Sequence, residues 1–91
     1  MLINLLDINS AKILVFLLIS PGSNYTRNEI KQNTGMNNVP LDISLNKLVN
    51  LDLIKKENKI YFVNLNNSFV AEINSELKNK FLHLPLIVQF I

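Results

Sequence analysis

Apolar residues along this chain return with a helical period in two places, run almost unbroken in a third and alternate in a fourth. Leu41, Leu45 and Leu48 recur at i, i+4 and i+7, which predicts a helix over 39–50 with one buried face. Phe69, Val70, Ile73, Leu77 and Phe81 repeat that signature after Asn66-Asn67-Ser68, a capping sequence, and predict a further helix. Between the two, Leu53–Glu57 and Ile60–Leu65 are rich in Ile, Val, Tyr and Phe and predict two strands that turn at Asn58. Tyr61, Val63 and Leu65 are expected on the face turned to the helices, and Phe62 on the other. The stretch Ala11–Ser20 differs, because every position from Ile13 to Leu18 is apolar. A helix there is expected to be covered on more than one side. Met1–Ile8 is expected as a short helical or extended lead-in, with Asn9-Ser10 capping the helix that follows.

Local signals fill the interval between these segments. Pro21-Gly22-Ser23-Asn24 reads as a turn, and Tyr25-Thr26 as a single-bridge strand. Thr26 and Glu29 have the spacing of a capping box, so a short helix is expected over 27–33 with Ile30 as its apolar anchor. Gly35 is suited to the left-handed conformation that closes a helix. Asn37 or Asn38 is then expected to cap the next helix, whose first turn accepts Pro40 because a missing N–H costs nothing there. Two helices joined by so short a turn make a helix-turn-helix.

The Glu29-Ile30 to Gly35-Met36 spacing, the leucine face of the next helix and Leu51-Asp52-Leu53-Ile54 together resemble the winged helix-turn-helix family of DNA-binding regulators. The element order from Ile8 to Ala71 is similar to that of stand-alone archaeal and bacterial members, and of the winged helices found ahead of nucleotidyltransferase domains. The resemblance implies an α+β, mostly helical fold: a three-helix core plus a two-stranded wing, with an additional C-terminal helix. It implies a winged helix-turn-helix domain over 1–66, followed by a C-terminal helix and apolar tail over 67–91. Asp52 stands where the family usually has Gly, and is expected to take the left-handed conformation at a small cost.

Composition narrows the function classes. Ninety-one residues with 48% hydrophobic and 18% charged positions suit one small domain with a real core. The longest apolar run, Ile13–Ile19, falls far short of the roughly 20 residues a bilayer requires, so no membrane contact is expected. The first residues place Asp7 ahead of the apolar run, the wrong order for a secretory signal, and a cytoplasmic location is expected. With no cysteine there is neither a disulfide framework nor a thiolate metal site. His83 is the only histidine, the carboxylates are scattered, and Gly22 and Gly35 are too few for a phosphate-cradling loop. The expectation is therefore no catalytic residue, no metal and no cofactor; the protein is not read as an enzyme.

What remains is binding. Taking the leucine face as inward, 100° per residue turns Val39, Ile43, Asn46, Lys47 and Asn50 outward on the third helix. The resemblance implies that this face enters the major groove of double-stranded DNA, with Asn37 and Asn38 at its start. Asn side chains pair bidentately with adenine, and Val39 and Ile43 suit thymine methyls. Between Arg27 and Lys59 lie six basic residues against four acidic ones, although the net charge of the whole chain is only +2. Arg27 on the second helix and Lys55, Lys56 and Lys59 on the wing are the expected phosphate contacts. The apolar Val39 and Ile43 also admit a protein–protein adaptor as the alternative. A homodimer is expected in either case, built from the C-terminal helix, the tail after Pro85 and the first helix.

Overall fold

Asp7, not the Asn9-Ser10 pair, begins the first helix, α1 (Ile8–Ile19). Its backbone is extended and its Oδ2 accepts the Ser10 amide at 3.1 Å, so the helix starts three residues earlier than expected, with Asn9 and Ser10 inside its first turn. The computed structural model describes residues 2–20 and 24–82. The chain opens with a 3-10 helix, Leu2–Leu5, and after α1 runs through β1 (Asn24–Thr26), α2 (Arg27–Thr34), α3 (Asn38–Asn50), β2 (Ile54–Glu57), β3 (Ile60–Val63) and α4 (Ser68–Leu82). The fold is α+β, with four helices and one antiparallel sheet ordered β1-β3-β2 among the described residues. The Pro21-Gly22-Ser23 turn and the tail from His83 to Ile91 lie outside the described residues, as does the Phe81 side chain at the end of the apolar stripe.

The capping box forms as expected, with Glu29 donating its amide to Thr26 Oγ1 at 3.2 Å and Thr26 returning its own to Glu29 Oε1 at 2.9 Å. Gly35 closes α2 at φ +71°, its amide bonded to the Lys31 carbonyl. At the end of α3 the amides of Asp52 and Leu53 reach back to the carbonyls of Val49 and Leu48, each at 3.0 Å. That pair of bonds is a Schellman closure, and it sets Asp52 at φ +62°. The Asp52 carbonyl then accepts the side-chain amides of Asn64 and Asn67, at 3.0 and 3.3 Å. One left-handed aspartate thus joins the end of α3, the end of the hairpin and the start of α4.

The sheet has three strands rather than two. β1 pairs along its whole length with β3, from Asn24 opposite Phe62 to Thr26 opposite Ile60, where a single bridge was expected. β2 and β3 form a tight hairpin through Asn58 and Lys59, both left-handed at φ +49° and +67°, the geometry of a type I′ turn. β3 stops at Val63. The Asn64 amide still donates to the Leu53 carbonyl, in register with the hairpin, while its side chain turns to the Asp52 carbonyl; beyond it Leu65 is 57% exposed instead of packing beneath the sheet. Asn67, as expected, caps α4: its Oδ1 accepts the amides of Phe69 and Val70.

The core forms around α1, which touches α2, α3, β3 and the 3-10 helix. Ile13, Leu14 and Leu17 meet Ile30, then Leu41, Leu45 and Leu48 of α3, Tyr61 of the sheet, and Val70, Ile73 and Leu77 of α4. Each fully buried aliphatic side chain stabilises the fold by about 1.5–3 kcal/mol. The first sixty-six residues and α4 therefore share one core.

Candidate functional site

α3 buries Leu41, Ser44, Leu45 and Leu48, and this fixes what it shows to solvent. Val39, Ile43, Asn46 and Asn50 form an uncovered ridge, with Val39 70% and Ile43 63% exposed. Asn46 and Asn50 have no hydrogen-bond partner for their side chains among the described residues. Asn37 holds the N-cap position of α3 in an extended conformation, yet its side chain makes no capping bond and stays exposed. Four of the five residues expected outward on α3 are therefore brought together on one face, and the fifth, Lys47, is exposed on its flank.

The cations fall into two groups. Arg27, the first residue of α2, is drawn inward to α3: its Nε donates to Asp42 Oδ1 at 2.6 Å and its Nη2 to Asp42 Oδ2 at 3.0 Å. The same Nη2 donates to Asn38 Oδ1 at 3.2 Å, so Asn38 is engaged as well. This fork-to-carboxylate pair holds the Asp42 carboxyl below its ordinary range. On the other flank, Lys47 Nζ lies 2.7 Å from Asp7 Oδ1. The lysine first, and the Ser10 amide second, hold Asp7 well below the usual carboxylate range. Arg27, an expected phosphate contact, and Lys47, expected on the outer face of α3, are thus already paired within the protein.

Lys55, Lys56 and Lys59 of the hairpin form the second group, and none has an ion-pair partner among the described residues. Strand alternation sends Lys55 to the side of Phe62 and Lys56 to the side of Tyr61. Lys56 Nζ sits over the Tyr61 ring, 5.4 Å from its centroid, a cation–π contact that leaves the ammonium free to bind an anion. Lys56, Lys59 and Tyr61 face Thr26, Arg27 and Asn28 across a notch of about 500 Å³. The start of α2 and the hairpin thus form one basic concavity beside the α3 ridge.

Sequence reasoning missed two of these participants. Tyr61 was assigned to the core and also seats Lys56. Asp7 carried a legible signal as the acceptor in Asp-x-x-Ser, but its pairing with a lysine 40 positions away did not. A second feature lies on the far side of α1, where an apolar groove of about 600 Å³ is lined chiefly by Ile3, Ile8, Ala11, Val15, Phe16 and Ile19. Among the described residues no three metal-ligating side chains come together, and no helix is long and apolar enough to cross a membrane. Comparison with protein-family models, with curated proteins and with solved structures returned no match for this chain.

Proposed function

We propose that this protein is a winged helix-turn-helix that binds double-stranded DNA as a transcriptional regulator. The observation that carries the reading is the exposed α3 ridge beside a hairpin whose three lysines lack acidic partners among the described residues. The element order, the sheet order and the three-residue link from α2 to α3 suit that architecture. In this reading α3 lies in the major groove, Asn46 and Asn50 offer paired donor and acceptor atoms to adenine, and Val39 and Ile43 meet thymine methyls. Lys55, Lys56 and Lys59 neutralise phosphates alongside. The protein acts as a homodimer, which presents two ridges to two half-sites. The apolar groove of α1 is the surface we assign to the contact between copies, since α4 already spends Val70, Ile73 and Leu77 in its own core.

The test is a salt titration of duplex binding by a Lys55→Gln, Lys56→Gln, Lys59→Gln triple variant. Each lost phosphate contact removes about 0.9 from the slope of log K against log salt, so the slope should fall by about three. An unchanged slope would remove the hairpin from the interface. The exposed apolar pair Val39 and Ile43 favours the second reading, a protein adaptor. Binding to a partner that barely responds to salt, with no duplex binding at all, would establish that one instead.

A further inference from the structure

The α3 ridge is bracketed by two ion pairs, Asp42 with Arg27 on one flank and Lys47 with Asp7 on the other. With 100° between successive residues, Asp42 and Lys47 each stand roughly 70° from the middle of the ridge, in opposite senses. All four side chains remain substantially solvent-accessible, so neither pair is locked in by burial. The ridge itself is uncharged, and its two bordering cations are each cancelled by an acid of the same chain. A phosphate approaching either flank must compete with a carboxylate for the cation. The displaced carboxylate then stays nearby and repels the phosphate.

We propose that Asp7 and Asp42 set the affinity of this face for DNA, by holding Lys47 and Arg27 in internal pairs that a phosphate must open. The proposal rests on the DNA reading above and assigns it two affinity-determining residues. The two acids act through the cations they hold. Their removal adds no contact; it converts two cations already beside the ridge into phosphate ligands. Asparagine is the right replacement at both positions. At Asp7 it keeps an acceptor for the Ser10 amide and so keeps the α1 cap; at Asp42 it keeps one acceptor for Arg27.

Asp7→Asn, Asp42→Asn and the double variant would be titrated against a mixed-sequence duplex by fluorescence anisotropy across 50–200 mM KCl. Glu72→Gln, an exposed acid on α4, controls for the mere change in net charge. Each single variant should bind about three- to tenfold more tightly than the Glu72→Gln control. Each should also steepen the salt slope by up to about 0.9, the increment for one released cation. The gain from Asp42→Asn should vanish in an Arg27→Gln background, and the gain from Asp7→Asn in a Lys47→Gln background. Wild-type binding with variants that match the control in affinity and slope would overturn this inference and leave the DNA reading standing. No duplex binding by any of these proteins would overturn both.

Discussion

Leu45 and Asn46 are adjacent in sequence and stand about 100° apart on α3, one 1% exposed and the other exposed to solvent. Leu45→Ala leaves a cavity against α1 and should cost about 2–5 kcal/mol in chemical denaturation. Asn46→Ala should stay within about 0.5 kcal/mol of wild type, because an exposed side chain without partners holds nothing together. Equal losses would mean that the phase of the helix is misassigned. The ion-paired acids define a pH response. Asp7 and Asp42 both titrate lower in the folded protein than in the unfolded chain, so the unfolded chain binds more protons once pH falls below about 4. Their stabilisation is complete above that ordinary carboxylate value and is lost as pH drops through the folded values. Melting temperature should therefore decline on acidification from pH 5 to pH 2, and Asp7→Asn should make the decline shallower.

At the scale of elements, what could be read from sequence is what short-range chemistry decides. The Thr26–Glu29 box, the stop at Gly35 and the left-handed Asp52 depend on residues within a turn of one another, and all three form. The start of α1 was harder, because Asp7, Asn9 and Ser10 are all capping types and only Asp7 has its oxygen placed for an amide three residues on. Leu65 and the two ion pairs were beyond reach for another reason. The Asn64 side chain bonds the Asp52 carbonyl 12 positions back where the strand ends, Arg27 meets an acid 15 positions away and Lys47 one 40 away, and no local pattern encodes such meetings. The hairpin turn offers a prediction of its own. Lys59 occupies a left-handed position that glycine adopts without strain, partly offset by glycine's greater freedom in the unfolded chain. Lys59→Gly should therefore raise stability by a few tenths to about 1 kcal/mol in thermal melts, while removing one of the free lysines from the notch.

For the molecule as a whole, the proposed contact between copies rests on the α1 groove. Ile8 and Ile19 sit exposed at its two ends, with Val15 between them. If a second copy covers this stripe, Ile8→Glu should shift the protein to monomer in sedimentation equilibrium at micromolar concentration without lowering its helical circular dichroism. An unchanged mass would place the contact elsewhere. The strand order has a consequence of a different kind. With β3 in the middle, β2 has no strand on its other side among the described residues, as in an unfinished sheet. Its sequence there is Ile-Lys-Lys-Glu, and adjacent lysines on such a border discourage another chain from adding itself as a further strand. The lysines proposed to grip DNA thus also keep neighbouring molecules from zipping together. Stripping them to alanine should produce slow, concentration-dependent precipitation with growing thioflavin fluorescence, while a variant bearing glutamate at the same places stays clear.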